Sequence, residues 1–124
     1  MKILLDTHIL LWAVSDSYKL SVKHTELIEN PNNIIFISIA TLWELTIKQS
    51  LGKIDLPENF LTDLTRHGYE IMKVEIDHLI ALKQLPLYHR DPFDRIIIAQ
   101  AMAEQCYLLT VDHEIEKYSA YLLG

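Results

Sequence analysis

The hydrophobic and polar positions of this chain form two alternating kinds of segment. Short apolar runs with polar residues at both ends are typical of strands buried in a parallel sheet. Longer segments with apolar residues at helical spacing are typical of helices that cover such a sheet. The pattern predicts strands over residues 3–5, 34–37, 70–75 and 107–111, and a short edge strand around residues 118–123 would be a fifth.

Helical segments separate these strands along the chain. They are predicted over residues 7–14, 21–29, 39–51, 56–67, 77–84 and 92–103. Strands that alternate with helices favour a parallel sheet, because parallel neighbours need a crossover connection that packs on one face of the sheet. We therefore expect one α/β domain over residues 1–124, with a parallel sheet of four to five strands and helices on both faces.

Composition and charge narrow the class of protein. A chain of 124 residues, half of them apolar and 23% charged, suffices for one globular domain with a sizeable core. The formal net charge of -6 argues against a broad basic surface that would grip a nucleic acid duplex. Acidic residues gathered in one place would lower the net charge in the same way, so the net charge does not exclude an enzyme that acts on nucleic acid.

Scarce residue types exclude several kinds of site. Cys106 is the only cysteine, which excludes an internal disulfide and a zinc site built on several thiolates. The three glycines, at positions 52, 68 and 124, cannot form a GxGxxG or P-loop motif. The apolar run over residues 3–14 is too short to span a bilayer and lacks the cleavage site of a signal peptide. We therefore expect a reduced, cytoplasmic protein without a membrane segment.

Two aspartates stand at the ends of predicted strands. Asp6 follows the first strand, and Asp112 follows the strand over residues 107–111. The carboxyl ends of parallel strands meet at one edge of the sheet, where open α/β folds bind ligands. Either aspartate could instead be the N-cap of the helix that follows it. Because both strands end in the same way, we favour a shared site at this edge.

Glu44 lies within the predicted helix over residues 39–51. Thr41 and Glu44 have the spacing of a capping box, but Ser38 is the better helix start, which puts Glu44 in the second turn. Its neighbours at helical spacing are apolar, so we expect Glu44 on an inward-facing stripe, where a glutamate needs a partner. These neighbours are Ala40, Ile47 and Leu51. We interpret Glu44 as a site residue.

Asp91 and Asp94 stand at the start of the helix predicted over residues 92–103. Asp91 and Pro92 are the expected pair for an N-cap and a first helical position. Asp94 then falls in the first turn, where an acid also suits the helix dipole. However, Asp94 heads a stripe of apolar residues that should point inward. We therefore predict that Asp94 is a ligand and that Asp91 supports it structurally. The stripe contains Ile97, Ile98, Ala101 and Met102.

Convergent carboxylates indicate a metal. Such groups repel one another, and a hard divalent cation relieves the repulsion through oxygen coordination. Mg²⁺ or Mn²⁺ is the expected ion, because the chain has neither a set of cysteine ligands nor a paired-histidine motif. A carboxylate-bound metal can activate water for phosphodiester hydrolysis, and the sequence leaves open whether one or two ions bind.

Basic and aromatic residues near these acids allow two interpretations. Lys48, Arg90 and Arg95 are the basic residues nearest to the acids in sequence, so they could hold phosphates. Ordinary solvated charge explains them equally well. Trp43 and Phe93 are expected in the core rather than as platforms on which bases stack.

Four segments of the chain, in this order, resemble the PIN-domain ribonucleases, and particularly the VapC-type toxins of prokaryotic toxin–antitoxin pairs. The most specific segment is HRDPFDRIIIAQA at residues 89–101. The other three are LLDTH at residues 4–8, SIATLWEL at residues 38–45 and LLTVD at residues 108–112. The resemblance covers nearly the whole chain.

By this resemblance the four acids bind Mg²⁺ or Mn²⁺, and two threonines line their site. The acids are Asp6, Glu44, Asp94 and Asp112, and the threonines are Thr7 and Thr110. The resemblance also implies endonucleolytic cleavage of RNA, commonly tRNA or rRNA. It further implies inhibition by a small cognate antitoxin and assembly into a homodimer.

Two alternatives belong to other functional classes. A phosphatase of the haloacid dehalogenase type also begins with a strand and an aspartate, but it needs a second acid two residues after Asp6, where this chain has His8. A catalytically inactive PIN-like module that binds RNA or protein is the stronger rival. Retention of all four acids weighs against it, because a binding scaffold gains nothing from a costly cluster of charge.

Overall fold

The structure of the protein, a computed structural model, describes residues 1–118. Within them, four strands form one sheet in which all neighbouring strands are parallel. The strands are β1 (Lys2–Leu5), β2 (Ile34–Ser38), β3 (Glu70–Met72) and β4 (Tyr107–Leu109). Their order is β3-β2-β1-β4, so the N-terminal strand is an inner strand. The predicted parallel α/β sheet is confirmed.

Seven helices accompany the sheet in residues 1–118. They are α1 (Thr7–Ser15), α2 (Val22–Glu29), α3 (Ile39–Ser50), α4 (Phe60–Asp63), α5 (Ile76–Gln84), α6 (Pro92–Glu104) and α7 (His113–Glu116). Among them, none combines the length and the apolar character that a membrane crossing requires.

The helices cover both faces of the sheet, as β1 shows most directly. Ile3 and Leu5 point into one cluster, which is closed by apolar residues of α1, α3 and α4. Leu4 points into the opposite cluster, which is closed by residues of α5, α6 and α7. All three residues are fully buried, because alternate side chains of a strand face opposite sides of the sheet. The prediction of helices on both faces is confirmed.

The predicted helix over residues 56–67 is wrong in extent. Only Phe60–Asp63 is α-helical, followed by a single 3-10 turn at Thr65–His67. Phe60 and Leu64 are buried one turn apart, whereas Leu61 is half exposed. One turn of buried residues anchors only a short helix, since short helices depend on tertiary packing.

The strand predicted over residues 70–75 ends early, at Met72. Within residues 1–118 its only partner in the sheet is β2, and the last paired residues are Ser38 and Met72. Because α3 begins directly after Ser38, β2 offers no strand partner for residues 73–75. Of the fifth strand predicted over residues 118–123, Tyr118 lies in a turn after α7, and the rest falls outside the described residues.

The apolar side of α3 departs from the expected inward stripe. Ala40 is buried, but Ile47 is 38% exposed and Leu51 is 64% exposed. Trp43, expected in the core, is also 64% exposed and contacts Phe93 edge-to-face, with ring centroids 5.3 Å apart. Helical spacing alone therefore located the buried side of α3 only near its N-terminus.

Candidate metal centre

The carboxyl edge of the sheet brings Asp6 and Asp112 together. Asp6 directly follows β1, and its backbone N–H donates to the carbonyl oxygen of Leu109 in β4 at 3.1 Å. Thr110 Oγ1 donates to Asp6 Oδ2 and accepts from the backbone N–H of Asp112 at 3.0 Å. One hydroxyl thus connects the residues that follow the two strands.

Asp6 is both the N-cap of α1 and one of the acids at the carboxyl edge of the sheet. Its side chain is almost fully buried, and Oδ1 accepts from the backbone N–H of Ile9 at 2.8 Å, which starts α1. Burial raises the pKa of Asp6, although the hydrogen bonds from Thr110 and Ile9 partly offset that shift. The nearby charge of Asp112 raises the pKa of Asp6 further.

Glu44 is buried in the second turn of α3. Ser38 Oγ accepts from the backbone N–H of Ala40 at 3.0 Å, so Ser38 is the N-cap of the helix. Glu44 Oε1 accepts from Thr7 Oγ1 at 2.9 Å, and its Oε2 lies 3.2 Å from Lys48 Nζ. The contact with Thr7 ties Glu44 to the end of β1, next to Asp6.

Asp91 and Asp94 divide their tasks at the start of α6. Asp91 Oδ1 accepts from the backbone N–H groups of Phe93 at 2.9 Å and Asp94 at 3.3 Å, with Pro92 in the first turn. Asp91 is therefore the N-cap. The side chain of Asp94 is half-buried, and its pKa is raised to about 6. Burial is the largest cause, the negative charges of Asp91 and Glu44 add to it, and His89 partly offsets these effects.

His89 completes the cluster, although the sequence did not single it out. Its Nε2 lies 2.8 Å from Asp94 Oδ2 and 4.0 Å from Asp112 Oδ2. One ligand atom from each of these three residues lies within 4.8 Å of the others. The available signal was the position of His89, five residues before Asp94 in the most specific segment of the chain. Its spacing matched no metal-binding histidine motif.

Comparison with known families decides the class of protein. The model of the family described as "PIN domain" matches residues 3–121. The chain belongs to the PIN domain family. The resemblance noted in the sequence is thereby confirmed at the level of this family, which is a family of nucleases. A comparison with curated protein sequences gave no match.

Solved structures share the fold of this PIN domain. One matching chain comes from the crystal structure of VapBC2 from Rickettsia felis bound to a DNA fragment from their promoter. The TM-score is 0.74 at 21% sequence identity, and the match covers 99% of this chain and 96% of that chain. At this identity the match establishes the fold.

The donor atoms of the PIN domain fit a hard divalent cation. Asp94, Asp112 and Glu44 offer carboxylate oxygens, and Asp6 lies against the same sheet edge. Oxygen donors of this kind suit Mg²⁺ and Mn²⁺. Burial and, after it, the charges of Asp91 and Glu44 raise the pKa of Asp94, and a bound cation would favour its ionised form.

The secondary candidates from the sequence have different neighbours. Thr7 and Thr110 donate directly to the acids Glu44 and Asp6. Arg95 instead uses Nη1 to donate to the carbonyl oxygen of Pro86 and to the hydroxyl of Tyr118, both at 2.9 Å. Its guanidinium therefore binds the segment that precedes α6.

Proposed function

We propose that this PIN domain, over residues 1–124, is a metal-dependent endoribonuclease of the VapC toxin type. The observation that carries the proposal is the group of acids at the carboxyl edge of the sheet: ligand atoms of Asp94 and Asp112 lie within 4.8 Å of each other, while the charge of Glu44 acts on Asp94 and that of Asp112 on Asp6. These acids are Asp6, Glu44, Asp94 and Asp112. The proposed substrate is RNA, with tRNA and rRNA as the first to test, and the expected location is the cytoplasm.

The acids are the proposed ligands of Mg²⁺ or Mn²⁺. When bound, the ion supplies Lewis-acid activation of water and neutralises charge on the phosphate that is cleaved. Thr110 orients Asp6, and Thr7 orients Glu44, each through a hydroxyl that donates to a carboxylate oxygen. These hydrogen bonds hold two carboxylates in place against the mutual repulsion of the cluster.

A basic groove beside the acids suits a strand of RNA. A cavity of about 500 Å³ is lined by Glu44 and Asp91 together with three cations, Lys48, Lys53 and Arg90. On a protein with a net charge of -6, cations next to the acids are placed to attract a polyanion locally. We propose that phosphates flanking the cleaved bond contact these side chains.

Cleavage of fluorescent RNA tests the activity. We expect the wild-type protein to cut the RNA with Mg²⁺ or Mn²⁺ and to lose cleavage when EDTA is added. Asp6→Asn and Asp94→Asn should abolish cleavage because each removes a charged ligand. Asp55→Asn, which makes the same charge change at an exposed position, should cleave like the wild type.

Two outcomes contradict the endoribonuclease proposal. Cleavage that survives in both Asp6→Asn and Asp94→Asn would identify a contaminating nuclease. RNA binding without cleavage in any metal condition would favour the catalytically inactive binding module instead.

A small antitoxin is the proposed protein partner. The related fold in VapBC2 from Rickettsia felis supports this proposal, since that structure is of VapBC2 bound to promoter DNA. The test begins with a search for a neighbouring reading frame that encodes a small protein with a DNA-binding N-terminal part. Its product should copurify with this chain and stop RNA cleavage at stoichiometric amounts; a neighbouring product that neither binds nor inhibits would contradict the proposal.

A second copy of the chain is the proposed partner of the exposed apolar face of α3 and α5. Ile39, Trp43 and Leu79 line one apolar cavity on this face, and each is at least 43% exposed. Apolar patches of this kind mark interaction sites. Light scattering should therefore give a dimer for the wild type and a monomer for Trp43→Glu, with Val22→Glu on α2 as the control. A monomeric wild type would contradict the homodimer.

A further inference from the structure

The segment that precedes α6 is held by a buried hydroxyl. Tyr118 is fully buried, and its hydroxyl accepts from the backbone N–H groups of Tyr88 at 2.9 Å and His89 at 3.0 Å. The same hydroxyl donates to the carbonyl oxygen of Pro86 at 2.7 Å. Together with the guanidinium of Arg95, it fixes the backbone of a segment that is neither helix nor strand.

The ring of His89 is oriented from both sides. Its Nδ1 accepts from the backbone N–H of Asp91 at 3.4 Å, which favours the tautomer that carries the ring hydrogen on Nε2. Nε2 then donates to Asp94 Oδ2 at 2.8 Å. Asp112 Oδ2, at 4.0 Å, is too far for a hydrogen bond to the same nitrogen.

We propose that His89 is a positioning residue of the metal centre: it holds Asp94 Oδ2 through Nε2–H, and Asp94 would bind the metal through its other oxygen, Oδ1. The metal in this statement rests on the proposed function. The hydrogen bond between His89 and Asp94 exists without it. Removal of a partner that orients a metal ligand in this way commonly lowers metal affinity by about tenfold to hundredfold.

The same geometry disfavours His89 as a ligand. Coordination through Nε2 requires that nitrogen to lose its hydrogen, and Nδ1 would then carry it. Two N–H donors, from the ring and from Asp91, would face each other. Holding Asp94 keeps both ring nitrogens of His89 satisfied, whereas coordination breaks one of their contacts.

Substitution of His89 separates positioning from simple packing. His89→Leu removes the N–H donor and puts an apolar side chain in its place. We therefore expect Mn²⁺ affinity, measured by calorimetry, to fall about tenfold or more. His89→Gln keeps an N–H that can reach Asp94, so its affinity should stay close to that of the wild type. Tyr118→Phe removes the hydroxyl that binds the backbone N–H of His89, so its Mn²⁺ affinity should lie between those of His89→Leu and His89→Gln. His67→Leu, at an exposed histidine, is the control and should bind Mn²⁺ like the wild type.

Spectroscopy supplies a readout that does not depend on activity. In ¹⁵N NMR of the imidazole, Nε2 of His89 should remain an N–H before and after Mg²⁺ is added. Pulsed EPR of the Mn²⁺-bound protein should show no directly coordinated nitrogen. A coordinated imidazole nitrogen, or His89→Leu with wild-type Mn²⁺ affinity, would overturn the inference.

Failure of the proposed function gives a different result. A wild-type protein that binds neither Mg²⁺ nor Mn²⁺ would overturn both the metal centre and the positioning role. A wild-type protein that binds Mn²⁺ and cuts RNA, beside an unaffected His89→Leu variant, would overturn the positioning role alone.

Discussion

At the scale of single residues, the site contains buried carboxylates, and their hydrogen bonds only partly offset the free-energy cost of burying their charge. Asp6 accepts hydrogen bonds from Ile9 and Thr110. Asp94 has His89 as its side-chain partner, while the charges of Asp91 and Glu44 oppose its ionisation. The ionised form of Asp94 therefore costs folding free energy in the metal-free protein, and a bound cation would recover that cost.

Replacing Asp94 should stabilise the metal-free protein. The pKa of Asp94 is raised to about 6 in the folded state, from an ordinary 3.8, so the folded state binds more protons between these values. Stability from this group is present at low pH and is lost as pH rises through about 6. Asp94→Asn should therefore raise the free energy of unfolding at pH 8 by about 1–3 kcal/mol, measured by urea denaturation with EDTA present.

The pH series makes this prediction specific. The advantage of Asp94→Asn should shrink as pH falls below about 6, because Asp94 is then neutral in the wild type as well. A variant that is less stable than the wild type at pH 8 would show that the ionised carboxylate contributes more than it costs.

Metal affinity should depend on the same titration. Protons compete with the cation for Asp94, whose pKa is raised to about 6. Below that pH, we expect the Mn²⁺ dissociation constant to rise about tenfold for each pH unit, as measured by calorimetry. A dissociation constant that stays flat between pH 7 and pH 5 would exclude Asp94 as a ligand.

Sequence reasoning reached these residues with uneven success. Asp6 and Asp94 were predicted from strand ends and helical spacing, which are local patterns. Glu44 was chosen because of an apolar stripe that proved largely exposed, and its burial instead comes with contacts to Thr7, 37 positions away, and Lys48. His89 was missed because its role depends on a turn that only the fold creates.

At the scale of elements, helices begin where strands or loops deliver a capping side chain. Asp6, Ser38 and Asp91 each accept a backbone N–H at the start of α1, α3 and α6. Two of these helix starts also present an acid to the site, Asp6 as the cap itself and Asp94 in the first turn. Two of the acids therefore lie at helix starts, one as the cap and one in the first turn.

Asp91 should act mainly on the stability of α6. Asp91→Ala removes an acceptor for two backbone N–H groups and should cost about 0.5–2 kcal/mol in free energy of unfolding. Asp91→Ser keeps a capping oxygen and should recover most of that loss. Both variants should cut RNA in the presence of metal at temperatures where they are folded. A folded, inactive Asp91→Ala beside an active Asp91→Ser would show that the cap positions Asp94.

Elements with long apolar patterns were predictable, and elements set by their partners were not. Three strands, β1, β2 and β4, follow from runs of mostly buried residues, and α6 follows from its buried stripe and the Asp91–Pro92 helix start. The helix over residues 56–67 and the end of β3 depend on which neighbours are available in the fold. A local pattern of apolar and polar residues does not show which neighbours those will be.

At the scale of the whole molecule, the site couples parts of the chain that are far apart. Its acids come from positions 6 to 112 and from both sides of the sheet, since α1 and α6 pack on opposite faces. A ligand that binds only this assembled state must stabilise the entire fold.

Metal should therefore protect the wild-type protein against heat. We expect Mg²⁺ or Mn²⁺ to raise Tm in calorimetry, by the equivalent of about 2.7 kcal/mol at a concentration of about 100 Kd. Asp94→Asn should show little further increase, and Asp55→Asn should respond like the wild type. An equal increase in all three proteins would indicate a nonspecific salt effect.

The hydroxyl bridge between Thr110 and Asp6 spans 104 positions of sequence. During translation, the first of these residues leaves the ribosome long before the second has been added. A nascent chain that ends within α6 has neither Thr110 nor Asp112, so its cluster is unfinished. Synthesis itself thus delays completion of this acidic cluster until Thr110 and Asp112 have been added and have left the ribosome.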